Sequence, residues 1–159
     1  MKAFKESQKF NQWWLKLILI IVILATAIPV YMIFNENTFE EEMFWPVLIP
    51  VIITAAAIIF IFVLRLETTI DSKGIHYKFY PVFGQKTIPW NEISECYVRT
   101  YSPLAEFGGW GIRWGFNGKA YNIKGNKGIQ VVIKSGKKIL FGTQKENEAK
   151  NVIEIYFNK

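Results

Sequence analysis

Two long apolar runs in the first 64 residues place the strongest constraint on what this chain can fold into. Leu17–Phe34 and Met43–Leu64 contain no charged residue. A helix needs about 20 residues to cross the roughly 30 Å apolar core of a bilayer. The second run is long enough alone, and the first becomes so when the residues from Trp13 onward are included. We therefore predict two transmembrane helices, at about residues 14–34 and 43–64.

The residues that flank these runs predict how the helices are oriented. The connecting segment Asn35–Glu42 carries four glutamates and no Lys or Arg, whereas Arg65 follows the second run. Basic residues also precede the first run, at Lys2, Lys5, Lys9 and Lys16. Because basic flanks stay on the cytoplasmic side, we expect a multi-pass protein of the cytoplasmic membrane, with an acidic loop at 35–42 and both termini in the cytoplasm.

A cleaved signal peptide is the alternative for the first run. The preceding lysines and the small residues Ala25 and Ala27 fit a cleavage site, but apolar residues continue through Phe34, which favours a retained helix. Neither run contains an ionisable residue of the kind that marks an ion or proton pathway. We therefore do not expect a transporter that acts alone.

The remaining chain is a basic, water-soluble region. Residues 66–159 carry fourteen Lys and Arg against eight Asp and Glu, a formal charge of +6. We place the domain boundary here, with the basic segment and transmembrane hairpin in 1–65 and a cytoplasmic domain in 66–159. Anionic lipid is one partner that such a charge attracts, although the topology rule alone also explains it.

Short alternating segments separated by turn signals predict that this region is a sheet domain. Strands are expected at Leu66–Asp71, Ile75–Pro81, within Thr87–Tyr101, and on either side of the two-residue turn signal Ser135–Gly136. The residues 82–86 are expected to form a turn. Including a hairpin described below, about seven strands are predicted.

A helix is predicted to follow the last strand. Thr143 and Glu146 have the spacing of a capping box, in which each side chain satisfies a free amide at a helix start. Apolar residues then recur at helical spacing, at Ala149, Val152, Ile153 and Tyr156. The predicted fold class is a membrane-anchored α+β protein whose antiparallel barrel or sandwich is capped by a C-terminal helix.

The junction TIPWNEISECYV and the ending SGKKILFGTQKENEAKNVIE resemble bacterial pleckstrin-homology-like (PH-like) domains attached to transmembrane hairpins. The resemblance covers roughly Leu66–Phe157. It implies a PH-like fold and a binding or scaffolding role without catalysis. Phosphoinositide-binding members carry a basic pattern that this chain matches at Lys73 and Lys78 but not at Tyr80, so specific phosphoinositide binding is not expected.

Candidates for catalysis or metal binding are few. The chain has one histidine, His76, and one cysteine, Cys96. A metal site needs at least three ligands, which no spacing supplies, so we predict no metal, no cofactor and no catalytic residue. His76 is expected near the surface of a strand, and Cys96 is expected to be a small buried residue. Nucleic acid is not an expected partner, because a bilayer anchor already accounts for the positive charge.

The stretch FGGWGIRWGFNGKAY, residues 107–121, is the most unusual part of the domain. Its glycine spacing does not match the dinucleotide-binding pattern G-x-G-x-x-G, whereas Asn117–Gly118 is a strong two-residue hairpin signal. We therefore predict a hairpin whose apolar face, with Ile112, Trp114, Tyr121 and Ile123, joins the core. The expected pairs are Trp114 with Tyr121, Arg113 with Asn122 and Gly111 with Lys124.

The opposite face of this hairpin is the predicted binding site. Glycine and alanine there leave room for another backbone or for a ligand to approach, although the glycines could simply permit tight curvature. The candidate ligand- or partner-binding residues are Arg113, Lys119, Asn122, Lys124 and Lys127.

The sequence is compatible with three functions. The first is a non-enzymatic membrane-anchored adaptor that binds a protein partner or another copy of itself. The second is a sensor of anionic lipid or of a cytoplasmic ligand through the basic face of residues 111–124. The third is an accessory subunit of a larger membrane enzyme or transporter, packed through Thr54 and Ala55–Ala57.

Overall fold

The computed structural model describes residues 3–35 and 44–157. The chain forms two compact units. One is a pair of helices within Phe10–Val63, which we call the helix pair; the other combines the residues up to Lys9 with the chain from Leu64 onward, and we call it the sheet unit.

The helix pair consists of α1 (Trp13–Asn35) and α2 (Phe44–Val63). Both are long and apolar enough to cross a membrane, and almost none of their residues is buried. An apolar helix that exposes its side chains on all sides is not the core helix of a soluble fold. The two predicted helices are confirmed as candidate spans, within about two residues of the expected bounds. The predicted acidic loop, residues 35–42, lies outside the described residues except for Asn35, which ends α1.

The sheet unit contains two open sheets. The first is antiparallel, in the order β1 (Phe4–Lys9), β2 (Arg65–Asp71), β3 (Gly74–Tyr80) and β4 (Phe83–Pro89). Ile75, Tyr77 and Phe79 are buried together on one face of β3, as the alternation predicts. The predicted turn at 82–86 is wrong, because all but Val82 of those residues belong to β4, in which Phe83 pairs with Phe79 and Lys86 with Tyr77.

Strand β1 corrects the predicted domain boundary. Residues before the first helix were assigned to the membrane segment, but Phe4–Lys9 pairs along its whole length with β2, from Phe4 opposite Ile70 to Lys9 opposite Arg65. The helix pair is therefore inserted into the connection between two neighbouring strands. The missed signal has a physical reason, since the buried face of β1 contains the polar residues Glu6 and Gln8 as well as Phe4.

The second sheet has five strands in the order β5-β8-β9-β7-β6. They are β5 (Ile93–Thr100), β6 (Gly111–Gly115), β7 (Gly118–Asn122), β8 (Lys127–Ile133) and β9 (Lys138–Gly142). All pairs are antiparallel except β7 with β9, which is parallel. A short helix that the sequence did not predict, α3 (Pro103–Phe107), connects β5 to β6. Eight strands thus follow the helix pair in the described residues, one more than the predicted seven.

The turn between β8 and β9 is longer than predicted. The last hydrogen bond between the two strands runs from the Ile133 amide to the Lys137 carbonyl, at 2.8 Å. Lys134, Ser135 and Gly136 therefore form a three-residue loop, with Gly136 at φ 83°. This is the common hairpin loop that ends in a left-handed glycine, rather than the two-residue turn.

Aromatic side chains fill the space between the two sheets. Tyr77 and Phe83 come from the first sheet, and Tyr121 and Phe141 from the second. The Tyr121 and Phe141 rings stack with centroids 5.7 Å apart, and Tyr77 lies 4.8 Å from Phe141. Such pairs contribute about 0.5–1.5 kcal/mol each beyond the area they bury.

The C-terminal helix α4 (Glu146–Tyr156) packs on β1, β2, β5 and β8. Its predicted apolar face is confirmed, with Ala149, Val152 and Ile153 buried. An α+β fold of two apolar helices, open sheets and a final helix is thus established.

The start of α4 differs from the predicted capping box. Glu146 points to Lys127 and Lys150, and the carboxylate that serves this turn belongs instead to Glu6 of β1. It accepts from the Thr143 hydroxyl at 2.6 Å and from the Gln144 amide at 2.7 Å. Unpaired donors before a helix need an acceptor, and the tertiary fold supplies it from the first strand.

Candidate functional site

The hairpin of residues 111–122 has a different register from the predicted one. Gly115 pairs with Gly118 and Trp114 with Lys119, so Phe116 and Asn117 form the turn instead of Asn117–Gly118. The shift is two residues, which leaves each side chain on its predicted face but moves the turn. Strand β7 also pairs in parallel with β9, where Lys119 lies opposite Ile139. A local turn signal carries no information about this distant partner.

At Gly115, the face that the glycines clear is occupied by the chain's own backbone. A Cβ at Gly115 would overlap the carbonyl oxygen of Glu106 in α3. Ala120, on the same face, is fully buried in a cluster with Tyr101 and Phe107. Of the two alternatives for these glycines, close approach of another backbone therefore accounts for Gly115.

The five predicted binding residues do not form one strip. Asn122 is fully buried, where its side chain donates to the Tyr101 hydroxyl at 3.0 Å and accepts from the Gly111 amide. Lys127 bonds the Thr100 hydroxyl and pairs with Glu146 at 3.2 Å. These two residues hold the fold together, and Lys124 lies beyond the end of β7, outside the hairpin ladder.

Arg113 and Lys119 lie on the hairpin but on opposite faces. Arg113 is exposed on β6, the edge strand, and its Nε donates to the Trp110 carbonyl at 2.9 Å. The Lys119 Nζ lies 4.5 Å from the centre of the Trp114 ring and 4.9 Å from that of Tyr121. A lysine over two aromatic faces is held by the ring quadrupoles.

A cleft of about 520 Å³ opens beside Lys119, between the β6–β7 turn and the β8–β9 turn. Trp114 is 71% exposed and Phe116 fully exposed on its first wall. Lys137 and Lys138 line the second wall. None of these four residues was a predicted site residue. Trp114 was assigned to the core, because alternation identifies the face of a strand but not whether another layer covers that face.

The same hairpin turn is tied to α3 by a hydrogen bond from Asn117 to an ion-paired carboxylate. Arg99 holds Glu106 through two nitrogens, at 2.7 and 3.2 Å, and Asn117 donates to the same carboxylate at 3.2 Å. The Arg99 hydrogen bond lowers the pKa of Glu106 to about 2. The Ser102 hydroxyl also accepts from the Ala105 amide and the Glu106 carboxylate from the Ser102 amide, and Pro103 at the first helical position is a local start signal that the sequence did carry.

His76 and Cys96 occupy positions close to those predicted. Cys96 is buried, as expected, and burial raises the pKa of its thiol to about 12. The His76 ring bridges Thr87 at 2.8 Å and Asp71 at 3.1 Å. His76 and Thr87 are register partners on β3 and β4, so the contact follows from strand pairing. Within residues 3–35 and 44–157, no three His, Cys, Asp or Glu side chains group as metal ligands.

Compared with family models, curated proteins and solved structures, the chain matches none.

Proposed function

We propose that this chain is a non-enzymatic membrane-anchored binding protein, an adaptor whose sheet unit docks a protein partner or a second copy in the cytoplasm. In this proposal α1 and α2 lie in the cytoplasmic membrane as a hairpin. The sheet unit has the PH-like role of a binding module. Arg113 on the β6 edge is the residue we assign to the partner contact.

The observation that carries the proposal is the insertion of the helix pair between β1 and β2. Lys9 and Arg65 are paired, and only residues 10–12 and Leu64 separate them from α1 and α2. If the helices lie in a membrane, these two neighbouring connections keep the sheet unit at the membrane surface. Holding a binding domain at a membrane raises its effective concentration toward other membrane-bound partners.

The same pairing supports the orientation of the hairpin. If both helices cross a bilayer, Lys9 and Arg65 can be partners only when both crossings return to one side. Lys5, Lys9 and Lys16 on that side favour the cytoplasm. A reporter fused at Lys159 is expected to give a cytoplasmic signal and one inserted after Glu40 an external signal; a cytoplasmic signal at both positions would refute this topology.

The PH-like assignment is supported by the order of elements after the helix pair. Two open sheets precede a final helix that packs on strands of both sheets. The first strand of the first sheet, however, precedes the helices instead of following them. A solved structure of the sheet unit would test the assignment through its strand order.

Strand addition at β6 is the proposed mode of partner binding. Within the part of the chain that the structure describes, this strand forms one edge of the second sheet and pairs with β7 alone. An edge with unpaired amides and carbonyls can accept a strand from a partner, and exposed Arg113 adds a charge that selects an acidic neighbour.

Purification in mild detergent followed by mass spectrometry tests this mode. We expect a stoichiometric companion or a homo-oligomer with the wild-type chain, and its loss with Arg113→Glu. The matched control is Lys73→Glu, which makes the same charge change in the exposed β2–β3 turn. Recovery of monomer alone from the wild type contradicts the adaptor and accessory-subunit functions together.

A further inference from the structure

The β6–β7 turn combines exposed aromatic side chains with lysines. Phe116 stands at its tip and is fully exposed, and Trp114 is 71% exposed beside it. Lys119 lies over the Trp114 ring, and Lys137 and Lys138 border the same cleft. The described residues that line this cleft include three lysines and no carboxylate. Exposed large aromatic side chains are a cost in water unless another surface receives them.

The strand that leads from this turn contacts the part of the first sheet next to the helix attachment. Arg65, two residues beyond the end of α2, pairs with Tyr80, and Tyr80 and Val82 are exposed at the neighbouring β3–β4 connection. Phe83 follows that connection, and its ring lies 5.5 Å from Tyr121. The Lys119 Nζ lies 4.9 Å from the centre of that same tyrosine ring.

We infer that a surface of the sheet unit, formed by Tyr80, Val82, Trp114 and Phe116 with Lys119, Lys137 and Lys138, docks on an anionic bilayer surface. Trp114 and Phe116 enter the interfacial layer, while the lysines contact lipid phosphates. The inference rests on the proposed membrane anchoring and is independent of any protein partner on β6.

The chemistry of this surface matches a bilayer interface better than a protein groove. Tryptophan and tyrosine concentrate where apolar chains meet headgroups, because their rings are amphipathic. Lysines add attraction to anionic headgroups that decays within a Debye length. The nearby carboxylate of Glu106 is already neutralised by Arg99, so it does not oppose this attraction.

The test places an environment-sensitive label at the tip in the full-length chain. Phe116→Cys is labelled with a nitrobenzoxadiazole dye in a Cys96→Ala background and incorporated in nanodiscs. The discs contain phosphatidylcholine alone or with phosphatidylglycerol, and some carry a spin-labelled lipid as quencher. Ser72→Cys is the matched control, because it is exposed at the opposite end of β2, about 20 Å from Arg65.

We expect emission from position 116 to shift to shorter wavelength and to be quenched by the spin-labelled lipid in anionic discs, whereas position 72 stays accessible to aqueous iodide. Lys119→Gln, Lys137→Gln or Lys138→Gln should each lower the ratio of shielded to exposed label about fivefold. High salt should have the same effect in discs with phosphatidylglycerol.

Three results would overturn the inference. The first is equal iodide access at positions 116 and 72 in anionic discs. The second is shielding of position 116 in detergent that grows with protein concentration, which identifies a second copy as the occupant. The third is shielding by soluble glycerol phosphate, which identifies a free anion. Failure of the chain to enter discs would instead refute the anchoring in the proposed function, and this inference with it.

Discussion

The helix pair and the sheet unit use similar residues in opposite ways. Ile20 of α1 is 57% exposed, whereas Phe4 of β1, only sixteen positions earlier, is 1% exposed. In the helices the backbone hydrogen bonds are local, and the apolar surface faces outward. In the sheet unit the apolar surface faces inward, and it depends on partners far along the chain. Stability is therefore local in the helix pair, whereas in the sheet unit it depends on contacts between distant parts of the chain.

The largest expected effect comes from the strand that precedes the helices. Phe4→Ala should destabilise the sheet unit by about 3–5 kcal/mol, because it leaves a cavity at a fully buried ring. Pulsed alkylation of Cys96 in urea measures this, since the buried thiol reacts only after unfolding. Ile20→Ala, the control in α1, should leave Cys96 as protected as in the wild type. Equal effects of the two changes would contradict this difference between the helix pair and the sheet unit.

A smaller effect is expected where α3 touches the second sheet. Gly115→Ala should cost about 2 kcal/mol, because the added Cβ overlaps the Glu106 carbonyl and one of the two backbones must move. Gly84→Ala in β4 has open space around its Cβ and should change stability by less than about 0.5 kcal/mol. Cys96 alkylation serves again as the readout. If both glycines tolerate alanine, the close approach is not a constraint.

The link between β1 and α4 should rank next. Glu6→Gln replaces one of two acceptor oxygens by a donor that faces Thr143 or Gln144, at an expected cost of about 1.5 kcal/mol. Glu67→Gln on the neighbouring strand removes only an exposed pair with Arg65 and should cost less than about 0.5 kcal/mol. A larger loss for Glu67→Gln than for Glu6→Gln would contradict this account of the α4 start.

The smallest effect is a pH dependence in the sheet unit. The pKa of Glu106 is lowered from 4.5 to about 2, so its contribution is complete above pH 4.5 and is lost as the pH falls toward 2. Glu106→Gln should cost about 1 kcal/mol at pH 7, allowing for partial exposure of the pair, and the difference from wild type should shrink at pH 3.

Urea unfolding followed by tryptophan fluorescence at the two pH values measures this difference. Glu148→Gln, which removes an exposed pair with Lys145, is the control and should show no comparable change. A deficit of Glu106→Gln that is constant between pH 7 and pH 3 would mean that the ion pair with Arg99 is not the cause.

Sequence predicts these two regions unequally for physical reasons. The helices were located within about two residues, because length and apolar composition decide a membrane helix. The alternation of β3 and the apolar face of α4 were also correct. By contrast, the register of the 111–122 hairpin depends on pairing of β7 with β9 and on α3 beneath Gly115. Neither contact has a local signature.

The candidate surface was missed for a related reason. Alternation correctly placed Trp114 on the face of Tyr121, yet only Tyr121 is covered by the first sheet. Whether a layer extends over a given position is a property of the assembled sheets. Likewise, Asn122 looked like a polar surface residue, and only the fold reveals that Tyr101 satisfies its buried amide.

The placement of the helix pair between β1 and β2 also fixes an order of assembly. The ribosome makes β1 first, but its partner strand emerges about 55 residues later, after a delay of several seconds at ordinary rates of synthesis. During that interval Phe4 and Glu6 have no sheet to join. The nascent chain therefore completes both helices before the sheet unit can close, so that closure of the β1–β2 ladder follows their synthesis.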